Sequence, residues 1–166
     1  MVRTNHLDSE LDKKYMKRAL VLARKALAAD EVPIGALVVD EKGVVVGRGY
    51  NQVMRHCTQR AHAEVTALAQ AGKKRGDWRL NGCVLYVTLQ PCAMCMALAY
   101  LSRVSRVVYG AESPLFGFHL DNDDALRVYK KDVQIVSGVM SDESVALLKQ
   151  FFKKKRKKGE PTKSSS

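Results

Sequence analysis

Cys83-Val84-Leu85-Tyr86-Val87-Thr88, followed at once by Leu89-Gln90-Pro91-Cys92-Ala93-Met94-Cys95, decides the fold and the chemistry together. Its first half is rich in β-branched and aromatic residues and predicts a strand over 83–88. Pro91 stands where helices begin, since its missing N–H costs nothing in a first turn, and the helix is expected to run to about Leu101. Cys92 and Cys95, three apart, share one face of that helix. Upstream, Ala61-His62-Ala63-Glu64 begins a second helix, predicted over 61–71 with Gly72 as its stop. His62, Cys92 and Cys95 offer zinc three ligands and leave the fourth tetrahedral position open for water, where a closed structural site would use four. Glu64, in the same first turn as His62, is suited to move protons to and from that water. Both segments start helices, whose positive N-terminal ends offset the charge of an anionic metal centre by roughly 0.3–1 kcal/mol each. Cys83 begins an apolar strand and reads as a small core residue. Cys57, in the polar run before His62, is the rival fourth ligand of a closed Cys3His site.

Outward from these segments, strands and helices alternate. Asp12 reads as the cap of a helix that carries Met16, Ala19, Leu20, Ala23, Ala26 and Leu27 on one face. After Pro33, strands over 34–39 and 44–50 flank the turn residues Asp40 to Gly43 and predict a hairpin. Residues 51–60 read as polar and irregular. Strands over 104–109 and 133–137 follow, and Ser141 with Asp142 and Glu143 opens a last helix whose Lys- and Arg-rich end suits the dipole. The alternation predicts an α/β layer structure.

At 166 residues the chain suits one domain with a substantial core. No apolar run approaches the ~18 residues of a membrane span, and residues 3–18 are too polar for a signal-peptide core. A cytoplasmic, reducing location follows as the expectation, with the four cysteines as thiols or metal ligands. The net charge of +11 suggests a polyanionic partner. Residues 153–166 hold seven Lys or Arg and one Glu, so +6 lies there and +5 remains on the body.

His-x-Glu followed by Pro-Cys-x-x-Cys resembles the signature of zinc-dependent nucleobase deaminases. The likeness extends to Glu31-Val32-Pro33-Ile34-Gly35-Ala36, Gly49-Tyr50-Asn51, Tyr86-Val87-Thr88-Leu89, and the C-terminal Asp142-Glu143, Leu147-Leu148, Phe151-Phe152 and Arg156. Over roughly residues 12–156 the chain resembles the bacterial tRNA-specific adenosine deaminases. The resemblance implies a three-layer α/β/α cytidine-deaminase-like fold with a mixed five-stranded sheet. It implies one zinc per subunit on His62, Cys92 and Cys95, with Glu64 as proton shuttle. Asn51 would hydrogen-bond the flipped base; Val32, Pro33 and Ala63 would line its pocket. Phe152 and Arg156 would contact a tRNA anticodon loop. The implied reaction is hydrolysis of wobble adenosine to inosine by a homodimer. The deaminase domain would span 1–157, with 158–166 a disordered polar tail. A deaminase of free bases or nucleosides shares every metal residue and is the alternative.

Three places depart from the family pattern: Thr58-Gln59-Arg60 where Asp-Pro-Thr commonly precedes the Ala-His-Ala-Glu, Gln90 where Glu usually precedes Pro91-Cys92, and Glu112 to Phe118 in place of the usual Asp- and Gly-rich loop. Phe151 and Phe152 are adjacent, so a helix sends one to the core and frees the other to stack on an unpaired base. Phe116 and Phe118 either shape the pocket mouth or pack their loop. His6, His56 and His119 read as surface residues.

Overall fold

The computed structural model describes residues 6–118, 133–157 and 159. The elements are helix α1 (His6–Ala28), strands β1 (Gly35–Val39) and β2 (Val45–Tyr50), the short helix α2 (Val53–His56), a 3-10 turn (Gln59–Ala61), and helix α3 (Ala63–Arg75). Strand β3 (Val84–Leu89), helix α4 (Ala93–Leu101), strands β4 (Arg106–Ala111) and β5 (Gln134–Val136), and helix α5 (Ser141–Lys157) complete the order. The sheet runs β2-β1-β3-β4-β5. Strand β1 is antiparallel to both β2 and β3, while β3, β4 and β5 are mutually parallel, giving the mixed five-stranded sheet.

Period-two side-chain alternation fills both faces of this sheet. Ala36, Val38, Leu85, Val87 and Val107 join Ala67 and Leu68 of α3 and Met96 of α4 in one core layer. Their alternates Leu37, Val39, Tyr86 and Val108 join Met16, Leu20 and Ala23 of α1 and Leu147 of α5 in the other. The result is the three-layer α/β/α arrangement. Helix α3 lies flush on β2 because Gly47 and Gly49 lack side chains there. A Cβ on Gly49 would run into the Ala63 carbonyl oxygen, and one on Gly47 into that of Ala67. No helix among the described residues is long and apolar enough to cross a membrane.

Several expected boundaries move. Helix α1 begins at His6, so Asp12 is no cap. Its side chain is buried, and its two carboxylate oxygens accept from the Arg106 guanidinium at 2.6 and 2.7 Å and from the Tyr86 hydroxyl at 3.0 Å. Tertiary partners on β3 and β4 hold the carboxylate that a local rule assigned to a helix end. Gly72 lies within α3, whose stop is Gly76 at φ 67°. Pro91 precedes the first helical residue by two. Cys92 takes the N-cap position with extended backbone, φ −73° and ψ 169°. The expected irregular run 51–60 holds α2 and the 3-10 turn. The buried carboxylate of Glu31 accepts from the backbone N–H groups of Met54 (3.1 Å) and Arg55 (2.7 Å) and so caps α2 from outside. His119 and most of the 158–166 tail lie outside the described residues.

Candidate active site

The mixed sheet brings distant segments to one edge. Strands β3 and β4 end there, and their C-terminal ends release Pro91-Cys92 and the loop from Glu112. Strand β1 starts there and β2 ends there, which delivers Val32, Pro33 and Asn51. The crevice outside the carboxyl ends of strands is where open α/β sheets bind ligands. Two backbone-anchored contacts tighten the edge: the Asn51 N–H donates to the Ile34 carbonyl at 3.0 Å, and the Gly35 N–H to the Thr88 hydroxyl at 3.1 Å.

His62 and Cys92 are the N-cap residues of α3 and α4, and neither uses its side chain to cap. Ser, Thr, Asp or Asn would stabilise these helix ends better. The side chains turn instead toward one another, joined by Cys95 from the first turn of α4. Among the described residues His62, Cys92 and Cys95 form a group that could hold a metal, their ligand atoms all within 4.8 Å of one another. His62 Nδ1 lies 3.8 Å from Cys92 Sγ and 3.3 Å from Cys95 Sγ. Tetrahedral zinc with ordinary Zn–N and Zn–S bonds places such atoms about 3.6 Å apart. Two thiols and an imidazole are also the donor types that zinc selects, so the residues fit it. Cys57 stays apart, exposed and in contact with the Met54 carbonyl. Cys83 is buried beside Arg75. Neither joins the group, and three protein donors leave one tetrahedral position for water or substrate.

The protonation pattern without metal is that of a shared charge. A hydrogen bond from Cys95, with a further one from His62, pulls the Cys92 thiol down to about 4. Cys95 is pushed up by its hydrogen bond to Cys92 and by burial. His62 is raised, chiefly by its bond to Cys92. Glu64 is 4% exposed, and burial raises its carboxyl group. Its electrostatic neighbours are His62, Cys92 and Cys95.

The other His62 nitrogen, Nε2, lies 2.8 Å from Gln59 Oε1. An amide oxygen can only accept, so Nε2 carries a proton, and Nδ1, which without metal shares its proton with Cys92, is the nitrogen left to bind a metal once that proton is lost. Gln59, at one of the departures from the family pattern, therefore fixes the ring's tautomer and orientation. Gln59→Ala is expected to weaken zinc retention by roughly 10- to 100-fold in competition with a chelator, with the thermal transition of the apo-protein unchanged.

Of the remaining candidates, Asn51 is buried, and its carboxamide makes no hydrogen bond among the described residues. Ala63 and Pro33 are buried and Val32 half-buried. On α5, Phe151 is in the core and Phe152 is 39% exposed, their rings edge to face. Lys154 and Lys155 reach back to Asp30 at 3.3 and 3.1 Å, whereas Arg156 is exposed. Phe118 is buried against Tyr109, and Phe116 is 63% exposed. Glu31, Gln59 and Gln90 support the site but were not among the sequence candidates. Each acts by a hydrogen bond that carries no local periodicity or motif; the signal for the last two was departure from the family pattern.

Residues 9–111 match the family model described as the cytidine and deoxycytidylate deaminase zinc-binding region. The tRNA-specific adenosine deaminase of Bacillus subtilis is 42% identical over 151 residues, covering 89% of this chain and 92% of that protein. A structure solved in work on A-to-I editing by tRNA:A34 deaminases at the wobble position aligns with TM-score 0.72 and 36% identity, over 81% of this chain and 99% of that one. A guanine deaminase from Nitrosomonas europaea shares the fold at TM-score 0.73 with 27% identity, over 84% and 83% of the two chains. The chain belongs to the tRNA-specific adenosine deaminases, within the zinc-binding cytidine and deoxycytidylate deaminase family.

Proposed function

We propose that the protein converts adenosine to inosine at the wobble position of a tRNA anticodon, taking up water and releasing ammonia. The observation that carries this reading is the 42% identity to a tRNA-specific adenosine deaminase along nearly the whole of both chains. The three-donor metal group beside a buried carboxylate supports the chemistry. His62, Cys92 and Cys95 would hold zinc, which when bound supplies a Lewis acid that makes water a nucleophile at neutral pH.

In this reading the chain's own residues do the rest. Glu64 takes one proton of the attacking water and delivers it to the ring nitrogen. It then takes the remaining proton from the newly formed hydroxyl and passes it to the departing amine, which leaves as ammonia while the carbon–oxygen bond becomes the carbonyl of inosine. The Asn51 carboxamide hydrogen-bonds the flipped base, which sits between Val32, Pro33 and the first turn of α3 at Ala63. On α5, Phe152 offers a stacking face for an unpaired base, and Arg156 offers charge to phosphate. Lys154 and Lys155 are engaged by Asp30 and serve the seating of α5. The four free cysteines suit a reducing, cytoplasmic location, and the homodimer rests on the family resemblance.

The test is incubation of the zinc-loaded protein with tRNA transcripts bearing A at the wobble position, beside free adenosine, cytosine and guanine. Inosine in a transcript supports the reading. Turnover of a free base or nucleoside alone, insensitive to salt, would replace it with the small-molecule alternative. Phe152→Ala is expected to raise KM for tRNA by about tenfold, the worth of one base stack. Arg156→Ala is expected to lower the slope of log affinity against log salt by about one.

A further inference from the structure

The turn that carries Cys92 does not stand alone. The loop following β4 folds back onto it. Gly117 forms an isolated antiparallel bridge with Cys92, and the Phe118 N–H donates to the Pro91 carbonyl at 2.9 Å. Between the two segments sits the side chain of Gln90. Its Oε1 accepts from the Ser113 N–H at 2.9 Å, and its Nε2 donates to the Phe118 carbonyl at 3.2 Å. A backbone N–H can only donate and a carbonyl only accept, so the two contacts fix which end of the amide is oxygen. Gly117 leaves room for this amide, because a Cβ there would collide with it and lie 2.6 Å from the Ser113 carbonyl oxygen.

We propose that Gln90 is a positioning residue that clamps the 112–118 loop onto the metal-ligand turn, and that the clamp requires a group both donating and accepting. The loop it seats carries Leu115 and Phe116, 83% and 63% exposed, on the rim beside Cys92. Among the described residues the Gln90 side chain hydrogen-bonds to Ser113 and Phe118, and not to His62, Cys92, Cys95 or Glu64. Its contribution is the placement of a wall of the substrate site, an assignment that rests on the tRNA reading above. A carboxylate at this position keeps the bond from Ser113 but cannot donate to Phe118, and sets two acceptors against each other. A methionine fills the same volume and makes neither bond.

Three variants test this: Q90E, Q90M and, leaving Gln90 in place, G117A. Each is read by zinc content, by amide exchange at Gly117 and Phe118, and by kcat and KM on a wobble-A tRNA. The expected result is wild-type zinc content, amide exchange at least tenfold faster at both positions, and KM raised about tenfold with kcat within about twofold. Wild-type exchange and KM in Q90E and Q90M would overturn the clamp. Loss of zinc in Q90E would overturn it too, since Gln90 would then hold the ligand turn and not the loop. Should the wild type make no inosine, the functional reading fails, while the exchange data still decide the clamp.

Discussion

Glu64→Gln is expected to lower turnover by about 10²- to 10⁴-fold, the range that general acid–base catalysis contributes, while zinc content and folding stay as in the wild type. Glutamine matches the volume of the carboxyl group and its ability to hydrogen-bond, and it cannot take up or release a proton at neutral pH. Glu64 sits at the second position of α3, 4% exposed, two residues past His62 of the metal-holding group. Burial is the first cause of its raised pKa. The measurement is single-turnover inosine formation, with zinc quantified in the same samples. An E64Q enzyme that holds zinc and turns over within about fivefold of wild type would assign the proton transfers elsewhere.

The second large effect is on stability. Asp12→Ala is expected to cost about 3–5 kcal/mol, because it removes one partner of a buried ion pair, and to lower the thermal midpoint by roughly 10 °C. The pair joins α1 to the first residue of β4, with Asp12 3% and Arg106 14% exposed at their side chains. The Tyr86 hydroxyl loses its acceptor in the same substitution. The exchange of the whole pair for apolar residues, Asp12→Leu with Arg106→Met, is expected to recover most of the loss. Chemical denaturation with and without the partner substitution checks both statements. A single-variant loss below about 1 kcal/mol would mean the pair behaves as a surface pair. Arg106 begins β4, and the metal group lies beyond the strand's other end. Turnover measured well below the transition should therefore be unchanged.

The layered fold was legible because both faces of the sheet are covered, so β1, β3 and β4 are almost continuous apolar runs and the helices between them carry striped faces. The metal group was legible because its chemistry needs particular residue types at fixed spacing within two short segments. Errors fell where a residue obeys a partner far away in sequence. Asp12 satisfies the rule for a helix cap and is held instead by Tyr86 and Arg106. Glu31 resembles any surface acid until α2 is folded over it, 23 residues on. Gln90 has no visible task until β4 has run its length and returned the 112–118 loop to it. Gly72 is a plausible helix stop, but α3 runs through it and ends at Gly76, which takes the left-handed conformation at φ 67°.

The contact of α3 with β2 has a consequence for changing this enzyme's substrate. The start of α3, and with it His62 and Glu64, is set by main chain resting on main chain at Gly47 and Gly49. Spacing of this kind has no side chain to adjust, so a mutation there has no neighbouring substitution that could compensate it. The 112–118 loop is the opposite case: its outer residues 114–116 are solvent-facing, and it is seated by side-chain as well as main-chain contacts, the Gln90 amide and the Phe118 ring among them. A library aimed at new substrates should therefore hold 47 and 49 invariant and draw its diversity from 114–116. Selection acting on such a protein would find the same division between a fixed catalytic floor and an interchangeable rim.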